Sequence, residues 1–428
     1  MNDEQTETIV LQKVINGGQT LGELADGKKV FVWGGLPGET VIIRILKNKK
    51  TWAEGIVEEV IEASEHRVEA KDPQSYLSTS PWQIFEYDYE NELKKDLIKE
   101  QFLQNDITLE VNEFSAPEEP YYYRNKIEFS FWWNKETDQL DLAFYKRGTH
   151  SRQAVDGTSL AKPCISEAAE KIRDYLRANK YQARDLKTLI LRCDQEDTVI
   201  AQLYVKEKEF KIKVEHTEFG VAGFSVHFSN PKSPASVITE TLLVSGAQSL
   251  SDTILGARYS YAVDGFFQVS IPEYEQALEV IDQHIDHEKP LIDMYSGVGS
   301  IGLSLADEGQ KLTLVEVDER CVIEARANAA MIKPDTEVVL ASSETALEHI
   351  ASDATVILDP PRAGLHEKVV AELISKKPQT IVYLSCNPAT QARDVALLQD
   401  TYEISYVHGF NFFPRTPHIE NLVVLTAK

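Results

Sequence analysis

The sequence predicts an α/β protein: a Rossmann-like, doubly wound sheet at the C-terminus, an α+β central domain, and a small N-terminal β-barrel. Three observations carry this. From about residue 256 onward, strand-like apolar runs alternate with helical runs. Between the first such strand and helix lies "DMYSGVGSIGLSLA", with Gly297, Gly299 and Gly302. Over residues 1–65, short alternating apolar runs are separated by the turn signals "ADGK" and "LPGE". Strands alternating with helices build a parallel sheet, whereas closely spaced strands with glycine turns build a barrel or sandwich.

The elements follow in order. Residues 1–65 hold "TIVLQKVI", "LGELADGKKVFVWGGLPGETVIIRIL" and "TWAEGIVEEVIEA", read as barrel strands. The tract "VIIRILKNKKTW" carries Arg44, Lys47, Lys49 and Lys50 with no acid among them. It is either a solvated hairpin tip or a phosphate-contacting edge beside Trp52. The central domain spans residues 66–255. It opens with a linker-like stretch and a helical pattern over 89–105, which is free to pack on the C-terminal domain despite its place in the chain. Strands and one clear helix, "SEAAEKIRDYLRAN", follow. Arg124 and Lys126 alternate after a run of three tyrosines and would share one strand face. Residues 256–428 form the C-terminal domain, with strands "LIDMYS", "LTLVEVD", "TEVVLAS", "TVILDPP" and "TIVYLSC". Two closing strands with no helix between them, "YEISYVHGF" and "IENLVVLTA", predict an antiparallel edge.

Composition narrows the class. Hydrophobic residues are 43% of the 428, enough for sizeable cores. The formal net charge of −24 is unusual for a nucleic-acid binder, although local basic patches decide binding. No run of about 18 apolar residues is present, so no membrane span is expected. The opening "MNDEQTETIV" does not read as a secretory signal. Cys164, Cys193, Cys321 and Cys386 are scattered, with no C-x-x-C, and the histidines form no H-x-x-x-H. No metal site is expected, and a reducing, cytoplasmic location is.

The candidate site lies at one rim. Gly297, Gly299 and Gly302 follow a strand and open a helix, and Glu316 ends the next strand, 19 residues past Gly297. A carboxylate there can accept ribose hydroxyls. The pattern fits a nicotinamide dinucleotide or S-adenosylmethionine. "VILDPPRAGL" then places Asp359 at a strand end before two prolines, which hold a rigid wall for a planar base. The fifth strand ends at Cys386. In open parallel sheets ligands bind at the carboxyl ends of the strands, so these residues share a rim.

Cys386 there, followed by Asn387 and Pro388, suits covalent catalysis. Carbon 5 of a pyrimidine has no lone pair. A thiolate adding to carbon 6 makes carbon 5 a nucleophile able to take a methyl group, and a base must then remove its proton. For Cys164, Cys193 and Cys321 the preferred reading is a small buried residue.

With these motifs the chain resembles the RNA uracil-C5 (5-methyluridine) methyltransferases, nearly end to end. The motifs are "FFQVS", "DMYSGVG", "VEVDERCVIEARANA", "LDPPRAGL", "LSCNPAT" and "TPHIENLVVL". The resemblance implies a class I methyltransferase sheet and S-adenosyl-L-methionine as cofactor, contacted by Gln268, Tyr295, Glu316 and Asp359. It implies Cys386 as nucleophile and Glu420 as proton-abstracting base, with Arg124, Lys126 and Phe266 on the substrate side. The N-terminal barrel resembles a TRAM domain, an RNA-binding module, with "DGKKVFVWGGLPGE" as its core pattern. That leans toward the 23S ribosomal RNA branch, with transfer RNA second. Many members of that branch hold an iron–sulfur cluster on cysteines after the barrel. "SYLSTSPWQIFEYD" has none, so no cluster is expected. Ser270 stands where the family pattern has asparagine. A monomer acting on structured RNA, away from membranes, is the expectation. Three alternatives are a nicotinamide-dependent oxidoreductase, a cytosine-C5 methyltransferase and a non-catalytic RNA-binding factor. The first leaves Asp359-Pro360-Pro361 and Cys386-Asn387-Pro388 without a role. The second lacks a cysteine in "DPPR". The third leaves Cys386 and Glu420 without one.

Overall fold

A computed structural model describes residues 5–149, 151–233 and 235–428. The first four residues of the opening stretch lie outside these.

The N-terminal strands close into a barrel in the order Thr6–Val14, Thr20–Glu23, Lys29–Trp33, Trp52–Glu62, Thr40–Asn48. Alternation puts Ile9, Leu11, Val30, Val32, Val41 and Ile43 inside. The two turn signals work through glycine: Gly27 and Gly38 sit at φ +81° and +83°, where a Cβ would be strained. Two of the four basic residues of the tract are paired across the sheet. Arg44 bonds Glu58 at 2.7 Å and Lys47 lies 3.9 Å from Glu54. Acids on the neighbouring strand, invisible in the tract itself, answer its charge.

The central sheet has seven strands, from Glu240–Gly246 through Gly223–Phe228, Val199–Val205, Leu186–Cys193, Lys126–Asn134 and Gln139–Tyr145 to Arg152–Val155. Helix Pro163–Ala178 buries Ile165, Ala169, Ile172 and Leu176 against it.

The C-terminal sheet has eight strands in the order Glu337–Leu340, Leu312–Glu316, Leu291–Met294, Thr355–Leu358, Thr380–Ser385, Glu420–Ala427, Tyr402–Phe410, Glu113–Ser115. The first five are parallel, and Glu420–Ala427 runs antiparallel to both of its neighbours, as the closing strand pair predicted. The outermost strand, Glu113–Ser115, comes from the segment before the central sheet. Helix Tyr87–Leu103 joins the same body, burying Leu97, Ile98 and Phe102 with Val395 and Leu398. Among the described residues, no helix is long and apolar enough to cross a membrane.

Candidate active site

The stretch from Ser385 to Pro388 is a strand-to-helix junction. Strand Thr380–Ser385 is buried almost throughout, and Pro388 opens helix Pro388–Leu398, where its missing N–H costs nothing. The Asn387 side chain caps that helix by accepting from the Ala389 N–H at 3.3 Å. Its amide also donates to the Arg362 carbonyl at 2.9 Å, tying the cysteine loop to the Asp-Pro-Pro-Arg loop. Cys386 is thereby held half-buried at the rim.

Glu420 begins the neighbouring strand. Ser385 pairs with Asn421 at the end of the strand, so Cys386, just past that end, and Glu420, next to Asn421, lie at one edge of the sheet, close enough for the carboxylate to act on the thiol. Buried Gln391 fixes that register, donating to the Tyr383 and Asn421 carbonyls at 2.8 and 2.9 Å and accepting from the Asn421 amide at 2.7 Å. The loop before Glu420 is pinned from behind. Fully buried Lys94 bonds Asn411 at 2.6 Å and Glu90 at 3.0 Å, while Glu90 accepts from the Arg415 N–H at 2.9 Å.

Electrostatics follow from crowding acids into a dry place. Burial, then the carboxylates of Glu420 and Asp359, push the Cys386 thiol up to about 11, while Arg362 opposes them by charge and hydrogen bond. Burial, and then Asp359, hold Glu420 well above the carboxylate range, with Arg362 again opposing. Burial takes Asp359 up to about 7. Arg362 also donates to His418 at 3.2 Å. His418 is driven down to about 3, first by burial and then by Arg362, Arg124, Lys94 and Arg147, so it is neutral.

The cofactor side of the rim is built around the glycine loop. Tyr295 sits at φ +65°, an uncommon conformation for a bulky residue. A Cβ on Gly297 would meet nothing within 4 Å, whereas one on Gly302 would collide with Leu314 and Leu312 at 2.8 and 2.9 Å. Gly297 thus borders open space and Gly302 lets helix meet strand. Glu316 accepts from the N–H groups of Gly297, Val317 and Asp318 at 2.9, 2.8 and 2.7 Å. A carboxylate has about four acceptor positions, so roughly one remains for a ribose hydroxyl. Burial alone shifts Asp359, with no hydrogen bond acting on it, and among the described residues the Ser296 hydroxyl is buried without a partner. Open space at Gly297, a free carboxylate and an orphaned hydroxyl fit a nucleoside-bearing cofactor. Gln268 is half-buried, its carbonyl held by the Asn125 amide at 3.0 Å. Ser270, which opens helix Ile271–Asp282, bonds Glu273.

On the substrate side, Phe266 is 68% exposed at a loop tip. The Arg124 guanidinium lies 5.6 Å from the Phe413 ring centroid and 5.8 Å from that of Tyr123. Lys126 turns elsewhere, to the Asp264 and Gly265 carbonyls at 3.4 and 3.3 Å. The two do not share a face, because Arg124 precedes the regular strand that starts at Lys126.

Four residues that the sequence reading passed over complete the site: Arg362, His418, Trp33 and Arg147. The first two lie inside recognised motifs, three residues after Asp359 and two before Glu420, and Trp33 lies inside the core pattern of the barrel. Arg147 carries no local signal. All four line a cleft of about 350 Å³ that also includes Asn16, Thr79, Cys386 and Pro388. The barrel, the connector, the central domain and the C-terminal domain all contribute to it. Arg147 stacks on Trp33, 3.9 Å from the ring centroid. In a chain of net charge −24 the lining, among the described residues, holds two arginines and no carboxylate.

The sheet order, the glycine loop and the acids at one rim define a Rossmann-like methyltransferase. More particularly, the chain belongs to the tRNA (Uracil-5-)-methyltransferase family, whose model matches residues 86–428, and it is an RNA (uracil-5-)-methyltransferase. An uncharacterized RNA methyltransferase of Enterococcus faecalis is 29% identical, covering 94% of this chain and 93% of its own. One of Bacillus anthracis is 26% identical, covering 99% and 97%. The crystal structure of the Pyrococcus abyssi tRNA (uracil-54, C5)-methyltransferase in complex with S-adenosyl-L-homocysteine is similar with a TM-score of 0.81 at 25% identity. It covers 98% of this chain and 100% of that one.

Proposed function

We propose that the protein methylates carbon 5 of one uridine in a structured RNA through a covalent bond from Cys386 to carbon 6. The observation that carries this is the meeting of Cys386 and Glu420 at one sheet edge, beside the Ser385–Asn421 pair, with Arg362 acting on both. S-adenosylmethionine is the cofactor, and it supplies an electrophilic methyl group when bound. Gln268, Tyr295, Glu316 and Asp359 hold it. The target uridine leaves its stack and enters the cleft beside Cys386, while Arg124 and Phe266, outside the cleft lining, meet the flanking RNA. Lys126 acts one step removed, by holding the carbonyls of the Phe266 loop. The Cys386 thiolate adds to carbon 6, carbon 5 then takes up the methyl group, Glu420 removes the carbon-5 proton, and Cys386 leaves. Arg362 favours the thiolate before attack and the ionised Glu420 before proton removal.

Residues 1–65 serve as a TRAM-like RNA-binding barrel, 66–255 as the central RNA-binding domain and 256–428 as the catalytic domain of a cytoplasmic monomer. The substrate is 23S ribosomal RNA on this reading. One observation favours transfer RNA: the Pyrococcus abyssi tRNA enzyme matches over 98% of this chain, barrel included, so the barrel does not separate the two substrates.

The test uses ribosomal and transfer RNA transcripts containing 5-fluorouridine, incubated with the protein and S-adenosylmethionine. Fluorine at carbon 5 cannot leave as a proton, so the adduct is trapped. A denaturant-stable protein–RNA adduct on one transcript, absent in Cys386→Ala, is expected. Full methylation of ordinary RNA by Cys386→Ala would sink the mechanism.

A further inference from the structure

Away from the rim, Cys164 and Cys193 come together, although 29 residues separate them in sequence. Their sulfurs and the Asp197 carboxylate lie within 4.8 Å of one another. Cys164 is half-buried and Cys193 is fully buried at the end of strand Leu186–Cys193. Both are free thiols.

The surroundings make the two sulfurs unequal. Cys164 is the second residue of helix Pro163–Ala178, where unpaired N–H groups favour an anion. The Lys162 ammonium lies beside it, 2.8 Å from Asp197. The hydrogen bond from Cys193 draws the Cys164 thiol below its ordinary range, with Lys162 assisting and burial and Asp197 opposing. Cys193 is held well above its range, first by that same bond and then by burial. One sulfur is therefore a half-buried thiol drawn toward its thiolate form, with its S–H directed to Asp197 at 3.7 Å, and the other a buried thiol within 4.8 Å of it. A divalent cation suits this cluster poorly, because the Lys162 ammonium already occupies the Asp197 carboxylate.

We infer that Cys164 and Cys193 form an oxidisable dithiol, in which a hydroperoxide attacks Cys164 and Cys193 resolves the product as a disulfide. In the first step the Cys164 thiolate takes the terminal oxygen of the hydroperoxide, becoming a sulfenic acid. The O–O bond breaks and water or an alcohol leaves. In the second step the Cys193 sulfur attacks the sulfenic sulfur, an S–S bond forms and a second water leaves. Two thiols are oxidised and one peroxide is reduced.

The pair sits beside the contacts that hold the Phe266–Gln268 loop. Arg192, next to Cys193, donates to the Gly265 and Phe267 carbonyls at 3.0 and 2.7 Å. The Cys193 N–H donates to the Asn125 carbonyl at 2.9 Å, and Asn125 bonds Val269 and Gln268 at 3.1 and 3.0 Å. Drawing the two sulfurs to bonding distance pulls on this strand end and slows methyl transfer. That last consequence rests on the proposed role of Gln268; the thiol chemistry does not.

The test treats the full chain with hydrogen peroxide, alkylates the remaining thiols and maps the peptides by mass spectrometry. The Cys164–Cys193 disulfide is expected at least about tenfold faster than oxidation of Cys321, whose thiol is pushed up to about 11 by burial and by Glu316, Asp318 and Glu324, against Arg320. In Cys193→Ala, a dimedone adduct is expected at Cys164. In Cys164→Ser, with Cys193 intact, neither the disulfide nor the adduct is expected at this pair. Equal oxidation of Cys164 and Cys321, or a Cys164 sulfenate with no disulfide in the unmodified chain, would overturn the assignment. So would zinc protection of both thiols from alkylation, which would make the cluster a metal site. These readouts do not depend on RNA methylation, so failure here and failure of the proposed function are distinguishable.

Discussion

Replacing Arg362 with glutamine should displace the pH dependence of methylation without removing any reacting atom. Arg362 is the cation that opposes the burial of both Cys386 and Glu420. An opposite charge at hydrogen-bond range lowers an acid's pKa by roughly 1–3 units. Arg362 is exposed on its outer side, so water screens it and the lower end applies, about one unit or about tenfold in thiolate at a given pH. The assay is kcat/KM on RNA between about pH 7 and pH 9.5, which reports the free protein's acid groups. With the thiol near 11, the unmodified enzyme should gain roughly tenfold per pH unit over that range. Arg362→Gln should give a parallel line displaced by about one unit to the alkaline side. Arg362→Lys, which keeps the charge, should fall between the two. Coincident profiles for all three would refute the electrostatic role. A lysine variant as slow as the glutamine variant would mean that guanidinium geometry matters rather than charge.

Glu420→Gln should accumulate a methylated covalent adduct on ordinary RNA, visible on a denaturing gel, since an amide cannot take the proton from carbon 5; wild-type turnover in that variant would rule Glu420 out as the base. Trp33→Ala or Arg147→Ala should raise the KM for RNA about tenfold with kcat nearly unchanged, in line with about 1–3 kcal/mol for a stacked base; a loss confined to kcat would place the pair elsewhere in the mechanism. Asp293 is fully buried and held up to about 7, chiefly by burial. A carboxyl raised in this way contributes stability that is fully present below about pH 4 and lost as pH rises through about 7. Asp293→Asn should therefore flatten the fall in Tm over that window, measured by thermal denaturation at several pH values, while the amide oxygen still accepts from Gly302.

Much of the C-terminal domain was legible because its signals are local. Strands Thr380–Ser385 and Tyr402–Phe410 fall on the runs "TIVYLSC" and "YEISYVHGF" that the sequence outlined. Gly297, Glu316, Asp359 and Cys386 each stand at the carboxyl end of a parallel strand, and the sheet itself brings strand ends to one rim. Glu420 was recognisable as a motif residue, but its place at the same sheet edge as Cys386 depends on an antiparallel register that Gln391 fixes from a third element.

What the sequence determined by itself is where strands, helices and turns begin and end, and which chemistry-bearing residues stand at strand ends. These follow from side-chain periodicity and backbone preference over a few residues. Only the tertiary structure decided which distant segments meet. It put strand Glu113–Ser115 and helix Tyr87–Leu103 on the C-terminal sheet, joined Trp33 to Arg147 across the cleft from Cys386, and brought Cys164 to Cys193. No local pattern encodes such meetings. They arise when separate apolar faces are buried together, and the charges and thiols at the seams are carried into contact with them.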